Sequence, residues 1–292
     1  MTFENSEDID ILMHREAHFG GNFALMLDYY RKRGIGVNDE FEIERIEILA
    51  EEELSSGKNL APLLLSAKEA EEIKRAREAY KDLRKLYTIK TQNKFPVLIA
   101  DLILSEEEDP VKEIEAIVQE KSAIVPHLIK LIQSEEFYNP LFPGYGKAYK
   151  RASKCLGLIG DKRALIALFE SIGKGDFFDD ELPIQALKSI GEPAKEFLLR
   201  VLEGKPINED NEKAAIAIIA FKEDPNVALT CFKFLKTLDF KKDGYLATYL
   251  ILASEGLKDP LLRKEFEAFS KNPSIPRDYK NDFNIILEGW VK

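Results

Sequence analysis

The 292-residue chain is poor in cysteine and histidine, and it has no long apolar run. Two cysteines, Cys155 and Cys231, are too few for a disulfide framework, so we expect both to be buried, reduced thiols. No apolar stretch approaches the roughly 20 residues that a membrane-spanning helix needs. The N-terminal segment MTFENSEDIDILMHRE is acidic and lacks the positive and apolar zones of a signal peptide. These absences favour a protein of the cytoplasm that makes no membrane contact.

Motifs of the common catalytic sites are also missing from the sequence. It contains no Gly-rich phosphate loop, no nucleophile elbow and no paired-cysteine metal motif. We therefore expect a protein that is not an enzyme and needs no cofactor.

Charge is spread unevenly along the chain. Residues 1–146 carry 18 basic and 29 acidic side chains, whereas residues 147–292 carry 24 and 23. Neutralisation of phosphates by Lys and Arg supplies most of the affinity for nucleic acid, so the acidic first half argues against nucleic acid as a partner. The balanced second half leaves room for a local basic groove.

Helical periodicity dominates what is present. In residues 148–169, AYKRASKCLGLIGDKRALIALF, one apolar helix pattern closes at a Gly-Asp turn and a second one opens. The scheme returns in residues 183–203, PIQALKSIGEPAKEFLLRVLE, where the Ile-Gly turn lies 31 positions further on. Residues 214–238 and 245–269 repeat it in spacing and apolar positions. Such helix pairs bury their shared face only against stacked copies, which predicts an all-α, right-handed α-solenoid.

The turns carry capping residues at matching positions. Asp161, Asp224 and Asp259 each precede a second helix, where a carboxylate accepts backbone N–H groups that would otherwise be unpaired. Pro225 and Pro260 follow two of them, at the first helical position, which tolerates proline.

These units resemble HEAT repeats, in particular the bilin-lyase-like subclass whose units follow ALGxIGDxRAxxAL. The match is close over residues 152–168, and the resemblance extends over about residues 110–270. One departure is that the arginine usual in the family, eight positions before the first Gly of the motif, is Tyr149 here, beside Lys150 and Arg151. The resemblance implies an armadillo-like helical scaffold that binds other proteins. Its bilin-lyase relatives imply an alternative, a chaperone that holds a tetrapyrrole.

The predicted organisation is an N-terminal helical region over residues 1–62, followed by the HEAT-like solenoid over residues 63–292. The helix from Tyr279 to Trp290 is expected to close the solenoid, because a terminal unit must cover the last apolar face.

Two candidate partner-binding surfaces stand out. The loop 134–146, SEEFYNPLFPGYG, is longer than most helix connections and offers aromatic anchors, unless it folds back onto its own helices. Cationic side chains also lie on the second helix of each repeat pair. They favour a protein or peptide partner, including an acidic one. The alternative is that these side chains belong to ordinary solvated helix faces. The candidate residues are Phe137, Tyr138, Phe142 and Tyr145 in the loop, and Arg200, Lys233 and Arg263 on the helices.

His14 and His18 form a third candidate, since residues four apart on a helix can share a metal ion. No third ligand is evident, and a surface or helix-end role is the alternative. The function that the sequence favours is a non-catalytic scaffold or adaptor without a metal. A ligand-holding chaperone, or a metal-binding protein that uses the histidine pair, is the other hypothesis.

Overall fold

The computed structural model describes residues 6–89, 93–175 and 180–291, and every regular element in these ranges is helical. This confirms the prediction of an all-α protein. No helix within the described ranges is long and apolar enough to cross a bilayer. The chain divides into two units, unit 1 up to Cys155 and unit 2 from Leu156.

Unit 1 is built on helices from both sides of residue 62. Its helices are α1 (Ser6–Phe19), α2 (Phe23–Arg31), α3 (Ile43–Ser56), α4 (Ala61–Leu64), α5 (Ala67–Lys85), α6 (Phe95–Leu104), α7 (Val111–Gln119), α8 (Val125–Gln133) and α9 (Ala148–Ile159), inside which the division falls. The N-terminal helix α1 packs on α2 and α4, and also on α5. The division therefore differs from the predicted one, because α5 lies beyond residue 62 and shares its packing with α1.

Local sequence signals explain most helix starts in unit 1. The side chain of Asn22 accepts a hydrogen bond from the Leu25 N–H at 3.2 Å and caps α2. Ser66 caps α5 together with Glu69 in a reciprocal capping box. The helix α3 begins at Ile43, and the Asn38 side chain accepts a hydrogen bond from the Glu40 N–H in the turn before it.

Unit 2 contains α10 (Leu165–Ser171), α11 (Glu181–Ile190), α12 (Glu192–Leu202), α13 (Glu209–Ile218), α14 (Pro225–Leu235), α15 (Gly244–Ala253), α16 (Pro260–Ser270) and α17 (Lys280–Val291). The predicted caps are confirmed, since Asp161, Asp224 and Asp259 each accept a backbone N–H two residues ahead, at 2.8–3.0 Å. The helices α14 and α16 begin with proline, also as predicted.

Alternate helices of unit 2 lie beside each other. The start of α12 meets the start of α14 through an ion pair of Lys195 with Asp224. Their ends meet where the Lys205 ammonium lies 4.6 Å from the Phe234 ring centroid, so the two helices run parallel. Ring contacts continue this layer to both sides, from α10 to α12 (Phe169–Phe197, 5.4 Å) and from α14 to α16 (Phe232–Phe266, 5.3 Å). In the other layer, α13 packs on α15, and α15 packs on α17.

The last helix covers apolar side chains of α15 and α16. Phe283 and Ile286 are buried, and the Trp290 ring lies 5.2 Å from that of Phe266. The Trp290 Nε1–H donates to the Glu255 carbonyl at 2.7 Å, so the indole is bonded as well as packed.

Candidate functional site

The histidine pair lies in the core of unit 1. His14 and His18 sit one turn apart on α1, with ring centroids 4.3 Å apart, and His14 is only 4% exposed. Burial holds the pKa of His14 well below its ordinary value and lowers that of His18 to about 4, so both rings are neutral. The alternative of a surface or helix-end role is therefore wrong for His14, because the apolar register of α1 carries it inward.

His18 already uses both ring nitrogens. Its Nε2 lies 3.0 Å from the Pro140 carbonyl, and its Nδ1 lies 2.9 Å from the Tyr80 hydroxyl. Because a carbonyl oxygen only accepts, Nε2 carries the proton and Nδ1 accepts from the Tyr80 hydroxyl. A metal ion at His18 would have to break one of these bonds. In the described ranges, no group of three His, Cys, Asp or Glu side chains is placed to hold a metal ion.

The aromatic loop folds back onto unit 1. Phe142 is 2% exposed and packs with Ala17, Ile73 and Ala76 of α1 and α5. Tyr138 stacks on Tyr149 with centroids 4.0 Å apart, and its hydroxyl donates to the Ile132 carbonyl. The prediction of Phe142 as a partner anchor needs correction, since its ring is not accessible while unit 1 is folded.

Two of the other loop residues are partly accessible. Phe137 is half-buried and lines a shallow apolar groove with Leu86 and Ile99. Tyr145, also half-buried, donates from its hydroxyl to Glu106 Oε1 at 2.9 Å.

Glu106 is the centre of a tyrosine cluster. Its second oxygen accepts a 2.7 Å hydrogen bond from the hydroxyl of Tyr29 on α2. The Tyr29 and Tyr145 rings lie directly on backbone, since a Cβ on Gly34 or Gly36 would come within 2.3 Å of a ring carbon. Any residue other than glycine at these two positions would displace a ring.

A cleft of about 900 Å³ opens beside this cluster. His18 and three tyrosines line it, together with Glu106 and a row of cationic side chains on α5. The three tyrosines are Tyr29, Tyr80 and Tyr145, and the cationic residues are Arg77, Lys81, Arg84 and Lys85. No motif in the sequence indicates this cleft, although residues 77, 81 and 84 have the spacing of one helix face.

Two buried arginines also organise unit 1, and no motif in the sequence indicates this role. Arg15 is fully buried, donates to Glu53 at 2.7 Å and lies 4.3 Å from the Phe23 ring centroid. Arg151 donates to backbone carbonyls just before and after the end of α6, those of Leu102 at 2.7 Å and Ser105 at 3.1 Å. Both guanidinium groups therefore hold unit 1 together and are not offered to a partner.

The predicted cations of unit 2 fall into two kinds. Arg200 on α12 and Lys233 on α14 are exposed, and neither has an ion pair within the described part of the chain. Arg263 is half-buried, donates from Nε to the Leu257 carbonyl at 2.6 Å and lies 4.9 Å from the Trp290 ring centroid. Arg263 is thus occupied within its own unit, which weakens its assignment to a binding surface.

Both cysteines are buried and free, and burial raises the pKa of each thiol to about 12. A thiol with so high a pKa is a poor nucleophile and a poor metal ligand at neutral pH.

Comparisons with known proteins add no assignment. The chain matches no protein-family model, no curated protein and no solved structure. Any function must therefore be inferred from the geometry of the chain itself.

Proposed function

We propose that the protein is a non-catalytic, cytoplasmic adaptor that binds an acidic segment of another protein. In this proposal unit 2 is an armadillo-like α-solenoid of HEAT-like pairs, and the layer of α10, α12, α14 and α16 is the binding side. The regular N-caps and the parallel neighbours in that layer support the solenoid arrangement.

One observation carries the proposal. Arg200 and Lys233 each lie nine residues after the N-cap of their helix, Gly191 and Asp224 respectively, so they occupy equivalent positions on adjacent parallel helices. Both are exposed, and both lack a carboxylate partner in the described ranges. Two unpaired cations on neighbouring helices attract a partner of negative charge.

Other lysines of the same layer are neutralised by ion pairs. Lys195 pairs with Asp224 and with Glu192, and Lys236 pairs with Glu265 at 2.6 Å. These pairs brace the layer, whereas Arg200 and Lys233 stay available. The proposed surface therefore uses these two residues and omits Arg263 and the buried Phe142.

Charge reversal tests this proposal. The variant R200E/K233E should lose capture of an acidic partner from the native host, and the residual binding of each single variant should weaken further as salt rises. The matched control is K188E/K280E, which makes the same charge change at exposed lysines of α11 and α17, outside the proposed binding layer. Equal loss in both double variants would show that only net charge matters, and the proposed surface would be withdrawn.

A further inference from the structure

The cleft of unit 1 has features of a ligand site that the proposed partner surface does not use. Its volume of about 900 Å³ lies within the usual range for small-molecule sites, roughly 300–1,000 Å³. Its lining comes from distant parts of the chain, since the His18–Tyr80 and His18–Pro140 contacts span 62 and 122 positions.

The aromatic side chains of the cleft are held in place before any ligand arrives. Hydrogen bonds fix Tyr80 on His18, and fix Tyr29 and Tyr145 on the two oxygens of Glu106. The His18 ring centroid lies 4.8 Å from that of Tyr145 and 5.7 Å from that of Tyr80. Rings fixed in this way lose little conformational entropy when a flat ligand stacks on them.

The α5 side of the cleft carries positive charge that is not fully neutralised. Arg77 pairs with Glu16, and Lys85 pairs with Asp82, both at 2.6 Å. Lys81 and Arg84 are exposed and have no ion pair within the described residues. The Arg84 guanidinium lies 5.7 Å from the Tyr80 ring centroid, which places a cation next to an aromatic face. This local excess of positive charge is unusual for its region, because residues 1–146 are acidic as a whole.

The fixed rings, the unpaired cations and the Glu106 carboxylate together select the chemistry of the ligand. The exposed cations disfavour a cationic ligand, and the phenol and carboxylate groups disfavour a purely apolar one. Fixed rings favour a flat aromatic body, and Lys81 with Arg84 favours an anionic group such as phosphate. The Glu106 carboxylate keeps lone pairs free after accepting two phenols, so it can also accept from an exocyclic amine of a base.

We propose that unit 1 binds a nucleoside monophosphate in this cleft. The base stacks on the side of the His18, Tyr80 and Tyr145 cluster that lines the cleft, and the phosphate pairs with Lys81 and Arg84. Glu106 accepts a hydrogen bond from the exocyclic amine of the base. This inference goes beyond the proposed adaptor function and uses residues of unit 1 alone.

Calorimetric titration of the full-length protein with AMP, adenosine and inorganic phosphate tests each part. AMP should bind at least about 10-fold more tightly than adenosine or phosphate alone, because it combines stacking with charge-assisted hydrogen bonds. Phosphate that binds as tightly as AMP would overturn the proposal, because the aromatic cluster would then contribute nothing. Absence of AMP binding at millimolar concentration would overturn it as well.

Matched variants locate the site. K81E/R84E should weaken AMP binding about 10-fold or more, since it removes the two cleft cations that have no ion pair within the described residues. K58E/K112E makes the same charge change at exposed lysines outside the cleft and should leave binding within about twofold. Equal effects of the two double variants would overturn the assignment to this cleft.

The base-recognition step has its own test. E106Q should reduce the preference for AMP over UMP, because it replaces one accepting oxygen by an NH2 donor that cannot accept from the adenine amine. Uracil has no exocyclic amine, so UMP loses no such hydrogen bond. Thermal melting should show that E106Q remains folded, since the amide oxygen still accepts from one tyrosine hydroxyl. An unchanged AMP-to-UMP ratio in the folded variant would contradict the role given to Glu106.

Discussion

Buried polar side chains organise unit 1 at the residue scale. Arg151 donates to the Leu102, Ser105 and Glu107 carbonyls, which would otherwise lack partners around the end of α6. The HEAT resemblance pointed to an inter-repeat arginine near position 149, but it gave no reason to expect carbonyl groups as the partners. Such bonds depend on where a helix ends in space, which a local pattern does not specify.

Histidine burial makes a testable contribution to stability. His18 has a pKa of about 4 in the folded chain and an ordinary value of 6.5 when exposed. Between these values the unfolded chain binds a proton that the folded chain does not, so stability falls as pH drops from about 6.5 towards 4. His18→Gln should therefore make the decline shallower, by about 1 kcal/mol per pH unit.

Urea unfolding of the wild type and the variant at pH 7 and pH 5 measures this difference. Every other titratable group is present in both proteins, so the difference between the two pH dependences reports position 18 together with its direct effect on His14. Parallel pH dependences would contradict the inference that His18 stays neutral on folding.

At the scale of single helices, the sequence predicted starts and stops well where the signal is local. The carboxylate caps at positions 161, 224 and 259 act within two residues, so the pattern alone identifies them. The loop 134–146 was harder, because its aromatic residues pack on α1, α5 and α9. Composition could not distinguish an exposed binding loop from one that fills its own core.

The glycines of α9 and α17 provide a test of helix packing. A Cβ on Gly157 would lie 2.8 Å from the Ala186 Cα, so α9 and α11 approach closely at this point. Gly289 in α17 has open space around it. Gly157→Ala should lower the free energy of unfolding by about 1–3 kcal/mol, because two backbones must separate. Gly289→Ala should raise it by a few tenths, about what better helix propensity provides near a helix end.

Chemical denaturation of the two variants and the wild type measures the sign of each change in the free energy of unfolding. The same chemical change is then destabilising where two backbones meet and stabilising where the space is open. A stabilising effect at both positions would mean that α9 and α11 do not approach as closely as described.

For the whole molecule, periodicity predicted the helical class but not the division into units. The helices of unit 2 repeat a short local scheme, so each could be recognised from about 20 residues of sequence. The cleft of unit 1 could not be recognised in this way. It brings together His18, Tyr80 and Glu106 from three separate segments, and no spacing rule connects them. The packing of α1 on α5 crosses the predicted boundary at residue 62, and no local pattern indicates that contact either.

The proposed function requires an acidic partner to bind the layer that contains α12 and α14. Site-specific photo-crosslinking in the native host tests it most directly, with benzoylphenylalanine at position 196 or 245. Glu196 is exposed one turn before Arg200 on α12, and Tyr245 is exposed on α15 in the other layer. A crosslinked partner is expected from position 196, lost in the R200E/K233E background, and none is expected from position 245. A partner that crosslinks from position 245 and not from 196 would contradict it.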